Sequence, residues 1–304
     1  LQGNAVLKEN KSFFDFRPGM YLNEIMDVYL PRYENSKDSF IMASHVDRMK
    51  LSACFIKSNE NLSCLTCHDP HHTVREVSSQ YFNNKCMSCH TVDHCREGHE
   101  NETTNDNDCV SCHMRKSSTI DIPHVKITDH RIAIDYNEVE LAKDTINRFL
   151  GLECINNEKP VNQSIAQAYI QQYERFEENN VYLDSALYYI NQIDLHSPLG
   201  MRILIHYLYL KEDFDSIISL VPKFELIFNL NKYVPKKDYA NKDGWTYYRL
   251  AEALSSKTKH QDALYYFQHA VKLAPFNLEF RNKYGVSLIH NDRVSFAIDE
   301  FEFQ

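Results

Sequence analysis

The chain has 304 residues and a formal net charge of −9, with 42 acidic and 33 basic side chains. Nucleic-acid binding needs many cationic contacts to phosphates, so this scattered, acidic charge pattern argues against a nucleic-acid partner. An apolar content of 43% predicts a folded chain. None of the seven glycines lies in a nucleotide-binding loop. No apolar run approaches the ~20 residues that span a bilayer, so no transmembrane segment is predicted.

Cysteine and histidine are concentrated in the first half of the chain. Eight of the nine cysteines lie within residues 54–112, and ten of the fifteen histidines lie within residues 45–130. The second half has many tyrosines and long stretches of helical periodicity instead. This change of composition predicts two domains, residues 1–135 and residues 136–304.

Three pentapeptides in the first half have the pattern C-x-x-C-H, which is typical of covalent c-type haem attachment. Two thiols three positions apart can form thioethers with one porphyrin, and the histidine that follows can bind its iron as the proximal ligand. The predicted attachment residues are Cys64, Cys67, Cys86, Cys89, Cys109 and Cys112. The predicted proximal ligands are His68, His90 and His113. The chain is therefore expected to carry three haem c groups.

Zinc is the main alternative for these cysteines. The first two pairs, at positions 64 and 67 and at positions 86 and 89, are spaced as the two halves of a zinc ribbon are. However, three pairs do not divide into two-pair tetrahedral sites, and a histidine after every pair has a chance of roughly 1 in 8,000 from composition alone. A disulfide framework is a further alternative, although C-x-x-C pairs are poorly suited to linking distant segments. Haem is the favoured interpretation.

A six-coordinate haem iron needs a second axial ligand, and the histidine-rich segment suggests that this ligand is also histidine. Pro70 prevents a helix from continuing after the first motif, so the turn could direct His71 to a neighbouring haem. His124 and His130 follow the third motif closely, and His45 precedes the first. The predicted distal ligands are therefore His45, His71, His124 and His130, and the less favoured candidates are His72, His94 and His99.

Helix-pair repeats are predicted in the second half, where similar residues recur at a spacing of 34. This is the period of the tetratricopeptide repeat, a unit of two antiparallel helices. Pro275 is expected to end the second helix of one unit. A plain helical bundle is the alternative. The recurring pairs are Ala251 and Gly285, Leu254 and Leu288, Ala263 and Ala297, and Phe267 and Phe301.

With three C-x-x-C-H motifs followed by 34-residue repeats, the chain resembles bacterial multihaem c-type cytochromes fused to tetratricopeptide repeats. The resembling segments are residues 14–20, 43–45, 64–71 and 108–114. The resemblance implies a periplasmic or otherwise extracytoplasmic location and bis-His haems packed closely enough for electron transfer. Residues 1–3 resemble the segment that follows an earlier C-x-x-C-H motif in such proteins, which implies a fourth haem upstream. The distal ligands that the resemblance supports are His71, His124 and His130, and then His45.

The predicted fold is mainly α, with a multihaem cytochrome c domain of little regular structure followed by an α-solenoid of helical hairpins. The predicted function is electron transfer through haem c, with the repeats docking a redox partner protein. One alternative is a multihaem reductase for a nitrogen or sulfur oxyanion, which would need an iron with an open distal position. Another is a zinc-binding adaptor in which only the repeats bind a partner. No catalytic residue is assigned.

Overall fold

A computed structural model of the chain describes residues 3–34, 45–59, 61–91, 108–118, 124–133, 148–230 and 240–303. The chain forms two compact units. The helical unit comprises Leu1–Arg32 and Phe149–Gln304, and the cysteine-rich unit comprises Tyr33–Arg148. The described residues are mainly helical, as the sequence predicts. The division differs from the predicted domains 1–135 and 136–304, because the segment Leu1–Arg32 belongs with the helical half.

The secondary structure follows this division. The strands are β1 (Asn4–Leu7), β2 (Met26–Tyr33), β3 (Lys116–Ser118), β4 (Lys126–Thr128) and β5 (Phe149–Cys154). The short helices of the cysteine-rich unit are α1 (His45–Lys50), α2 (Ala53–Lys57), α3 (Cys64–Cys67), α4 (Ser79–Met87) and α5 (Cys109–His113). The helices of the helical unit are α6 (Asn162–Arg175), α7 (Asn180–Ile190), α8 (Pro198–Leu210), α9 (Phe214–Leu230), α10 (Ala240–Ser256), α11 (His260–Leu273), α12 (Leu278–His290) and α13 (Val294–Glu302).

A three-stranded sheet attaches the N-terminal segment to the rest of the helical unit. Strand β2 lies between β1 and β5, and β1 pairs with it antiparallel. Tyr29 of β2 is buried against Ala168 of α6. The buried carboxylate of Asp27 accepts hydrogen bonds from Lys8 Nζ at 3.0 Å and from Ser164 Oγ at 2.7 Å. Because Asp27 and Ser164 are 137 positions apart in the sequence, composition alone could not show that this segment packs with the helical half.

Helices α10 to α13 lie where the 34-residue spacing predicts two helix pairs. Loops of three or four residues separate them, so neighbouring helices run antiparallel, and each packs on the next. Helix α11 ends at Leu273, just before Pro275, as predicted. The α-solenoid of tetratricopeptide hairpins stays a prediction. The recurring residues that are buried are Ala251, Leu254, Ala263, Phe267, Gly285, Leu288 and Ala297, whereas Phe301 is exposed.

The start of α8 packs tightly against the loop before it. Ser197 caps the helix, since its Oγ accepts a hydrogen bond from the backbone N–H of Gly200 at 3.0 Å. A Cβ atom at Gly200 would lie only 2.1 Å from the carbonyl oxygen of Asp194. A contact of this kind with backbone requires glycine at position 200.

The described part of the cysteine-rich unit consists of short helices of four to nine residues and one two-stranded sheet. Strands β3 and β4 pair antiparallel, with Lys116 opposite Thr128. Helix α3 contacts α4, and α4 contacts α5. These three helices carry the C-x-x-C-H motifs, so the three motifs lie next to one another.

Candidate functional site

Each C-x-x-C-H motif includes a helical turn that orders its residues. Helix α3 begins and ends at the two cysteines of the first motif, the second motif starts in the last turn of α4, and α5 covers the third. The backbone N–H of His68 donates to the carbonyl of Cys64 at 2.8 Å, and that of His90 donates to the carbonyl of Cys86 at 3.0 Å. Residues i, i+3 and i+4 share one helix face. Both cysteines and the histidine of a motif are therefore placed on one side.

Polar side chains next to the motifs stabilise two of these turns. Thr66 Oγ1 accepts a hydrogen bond from the backbone N–H of Ser63 at 3.0 Å. Asp108 caps α5, since its Oδ1 accepts from the backbone N–H of Ser111 at 3.4 Å. Backbone N–H groups at a helix start lack intrahelical partners, and such contacts satisfy them. The turns are thus specified by local sequence.

None of the six motif cysteines is in a disulfide, and the second and third motifs approach each other at Cys86 and Cys109. The side chains of Cys86 and Cys109 are neighbours. Burial, with the neighbouring Cys109, raises the pKa of the Cys86 thiol to about 11, and burial also raises the pKa of Cys67. The exposed motif thiols are Cys64, Cys89 and Cys112, and the half-buried ones are Cys67, Cys86 and Cys109. All six are present as thiols, the form from which thioethers to a porphyrin are made.

Two of the predicted ligands, His113 and His130, are each oriented by a hydrogen bond to a backbone carbonyl. His113 Nδ1 lies 3.0 Å from the carbonyl oxygen of Ala133, and His130 Nδ1 lies 3.1 Å from that of Thr128. A carbonyl oxygen can only accept, so each Nδ1 carries the proton and donates it. The lone pair is then on Nε2, an arrangement that metal-bound histidines commonly have. In their neutral form, both imidazoles would therefore offer Nε2 to a metal.

His130 lies in a segment that is anchored to α1 and to the residue before α2. Ser52 Oγ donates to the carbonyl oxygen of His130 at 3.0 Å and accepts from the backbone N–H of Ile132 at 2.9 Å. Asp129 is buried and accepts two hydrogen bonds from Arg48, at 2.9 Å from Nε and 2.6 Å from Nη2. These four contacts fix the backbone on both sides of the imidazole.

The ring of His130 lies close to two other predicted ligands. Its centroid is 4.3 Å from that of His45 and 6.2 Å from that of His68, with an angle of 29° between the ring planes in both pairs. Phe82 packs edge-on against His68 at 5.3 Å. Burial and the nearby His45 lower the pKa of His130. A lowered pKa favours the neutral imidazole, which is the form that binds a metal.

The remaining predicted ligands are exposed. His71 follows Pro70 in a turn in which its backbone N–H donates to Asp69 Oδ1 at 2.9 Å. His90 and His124 also have exposed side chains. Of the less favoured candidates, His72 is exposed, whereas His94 and His99 lie outside the described residues.

The donor set fits covalently attached haem, because each motif offers two thiols and an imidazole on one side of a short turn. Within the part of the chain that the structure describes, no three histidine, cysteine, aspartate or glutamate side chains are grouped closely enough to hold a metal ion.

No known protein family, curated protein or solved structure matches this chain. The resemblance to multihaem cytochromes therefore depends on the motifs and repeats of this sequence. Among the described helices, none combines the length and hydrophobicity that crossing a membrane requires.

Arg48, Ser52 and Asp129 belong to the site but were not singled out by the sequence. All three are buried polar residues, and their contacts join segments that are 78 to 81 residues apart. The only sequence signal is proximity to predicted ligands, since Arg48 lies one helical turn after His45 and Asp129 directly precedes His130. No motif relates the two segments to each other.

Proposed function

We propose that this protein is an electron carrier of the multihaem c-type cytochrome kind, with three haems attached to the chain. The observation that carries the proposal is the threefold C-x-x-C-H motif, whose two thiols and histidine share one side of a helical turn. The contact between neighbouring motifs supports it further, because transfer between haems requires them to be close. An extracytoplasmic location belongs to this proposal, since haem is attached there in the proteins that the chain resembles.

Each group of residues has one role in this proposal. Haem supplies a one-electron couple centred on iron. The motif cysteines hold it covalently, the motif histidines bind from one side, and four further histidines are candidates for the other side. The polar and apolar side chains around each iron set its potential through burial and hydrogen bonding. The distal candidates are His45, His71, His124 and His130.

A full set of axial histidines favours electron transfer over catalysis, because a substrate would need an open position on an iron. The chain offers four favoured distal histidines for three irons. Electron paramagnetic resonance of the oxidised protein tests this point. We expect low-spin iron only, whereas a high-spin fraction that binds small ligands would favour the oxyanion reductase.

The helical unit has the second role in the proposal, which is to dock a redox partner protein. Antiparallel helices that pack in chain order, as α10 to α13 do, can present an extended surface to a partner. The described part of the motif-bearing unit has only short helices and strands. We therefore assign electron transfer to the cysteine-rich unit and partner binding to the helical unit.

The proposal is tested by a pyridine haemochrome assay on the full chain, made with c-type haem maturation machinery and exported. We expect about three haems per chain, and about two in the Cys86→Ala/Cys89→Ala variant. Cys154→Ala, in the helical unit, is the matched control and should leave the number unchanged. Colourless protein that contains zinc would contradict the proposal and support the zinc-binding adaptor.

A further inference from the structure

The distances between imidazole rings indicate which histidines share an iron. A ligating imidazole nitrogen lies about 2 Å from its metal, so two imidazoles on opposite sides of one iron have ring centres roughly 6 Å apart. The ring centroids of His68 and His130 are 6.2 Å apart. His45 and His130 are separated by only 4.3 Å, which is too short for opposite sides of one iron. Distance therefore pairs His130 with His68.

The nitrogen that His130 offers is consistent with this pairing. Its Nδ1–H is engaged by the carbonyl oxygen of Thr128 at 3.1 Å, so Nε2 is the nitrogen that remains for a metal. A carbonyl that holds Nδ1–H also fixes the rotation of the ring. Orientation and tautomer are thus both determined by the segment around β4.

That segment is in turn held by two side chains from the region that precedes the first motif. Ser52 contacts the backbone of His130 and of Ile132, and Arg48 binds both oxygens of the Asp129 carboxylate. A bidentate guanidinium–carboxylate pair fixes distance and angle together. Movement of His130 away from His68 would require these buried contacts to break.

We propose that His130 is the distal ligand of the iron whose proximal ligand is His68, and that Arg48, Asp129 and Ser52 are the residues that position it. The proposal rests on the proposed function, because it needs a haem on the first motif. It goes further by assigning one specific axial pair and by naming the residues that hold the distal ligand in place.

The pairing is tested by spin state and carbon monoxide binding in the matured full chain. His130→Ala should keep all attached haems, turn about one of them high-spin, and bind about one carbon monoxide per chain when reduced. The control His196→Ala, an exposed position in the helical unit, should leave every iron low-spin. If His130→Ala also leaves every iron low-spin, the pairing is wrong.

A variant that lacks the first haem shows which iron His130 binds. In the Cys64→Ala/Cys67→Ala variant, which lacks the first haem, adding His130→Ala should produce no new high-spin iron. A new high-spin iron in that background would show that His130 binds a different haem. Protein without any haem would instead contradict the proposed function, so the two failures are distinguishable.

If the His130→Ala protein does not incorporate haem, the variant His130→Met provides a second test of the axial pair. His130→Met retains a second axial ligand and should raise the reduction potential of a single haem, because methionine ligation favours ferrous iron. An unchanged set of potentials in spectroelectrochemistry would overturn the assignment.

The positioning residues are tested by the same spin-state readout. Arg48→Ala should leave part of the first iron high-spin without loss of haem, and Arg48→Lys, which keeps the charge but not the bidentate geometry, should leave a smaller part. A wild-type spectrum for Arg48→Ala would contradict the positioning role while leaving the axial pair itself intact.

Discussion

Arg48 and Asp129 form a buried bidentate ion pair that joins positions 81 residues apart in the sequence. Their side chains are only 8% and 4% exposed. The pair links helix α1 to the segment directly after β4. It therefore connects two distant parts of the cysteine-rich unit at the position of a predicted iron ligand.

Removal of one partner of this pair should destabilise the cysteine-rich unit strongly. A buried ion pair that loses one member leaves an uncompensated charge, which costs about 3–5 kcal/mol. We expect a loss of that size for Asp129→Ala in urea denaturation, followed by Soret circular dichroism of the matured protein. The exposed pair of Arg32 with Glu153 in the helical unit provides a comparison, and Arg32→Ala, followed by far-ultraviolet circular dichroism, should cost less than about 1 kcal/mol of unfolding free energy. Equal effects of the two substitutions would contradict the structural role of the buried pair.

The buried carboxylate of Asp27 should make the stability of the helical unit depend on pH. Burial raises the pKa of Asp27, but hydrogen bonds from Asn157, Ser164 and Lys8 lower it by more, so the pKa lies below its ordinary value. A carboxyl with a depressed folded pKa adds stability above its unfolded pKa, and that stability is lost as pH falls through the folded value. We expect the loss to begin below about pH 4.

Asp27→Asn should remove this part of the pH dependence and lower the free energy of unfolding at neutral pH by about 1–3 kcal/mol. Far-ultraviolet circular dichroism during urea denaturation, repeated across the acid range, measures both effects. The exposed Asp299, changed to Asn, is the control. A variant with the same acid profile as the parent protein would show that Asp27 does not contribute.

Gly200→Ala should destabilise the helical unit, although alanine is the better helix former. Alanine gains up to about 1 kcal/mol of helix propensity, but its Cβ would lie 2.1 Å from the backbone oxygen of Asp194. Overpacking against backbone typically costs about 1–3 kcal/mol. Gly285→Ala is the matched control, since its Cβ would meet only the ring of Phe301, whose side chain is exposed and can move. Stabilisation by Gly200→Ala in thermal denaturation would contradict the tight helix start.

The Cys86 thiol should react slowly with alkylating agents in reduced chains made without haem maturation. Burial, with Cys109 nearby, raises the pKa of Cys86 to about 11, and only the thiolate is nucleophilic. We expect Cys86 to be modified more slowly than exposed Cys64 at neutral pH, with the rate rising as pH approaches that value. Peptide mass spectrometry measures both sites in one sample. Equal rates at neutral pH would contradict the burial of Cys86.

Local sequence was sufficient for some parts of the structure and not for others. The 34-residue spacing predicted α10 to α13, because helix periodicity and small residues act over a few turns. The closeness of the His68 and His130 rings could not be predicted, because the segment around His130 is held by contacts of Arg48 and Ser52 with residues about 80 positions away. The packing of the N-terminal segment on the helical half could not be read from local sequence either, since Asp27 binds Ser164 across 137 positions.

Intact mass spectrometry of the matured protein under denaturing conditions tests the presence of haem c most directly. Thioether bonds survive denaturation, whereas bound zinc and other non-covalent ligands are lost. We expect the mass of the chain plus three haems, with only the three cysteines outside the motifs, Cys54, Cys95 and Cys154, still reacting as thiols. A mass equal to that of the bare polypeptide, with all nine thiols reactive after reduction, would contradict covalent haem and with it the assignment of electron transfer.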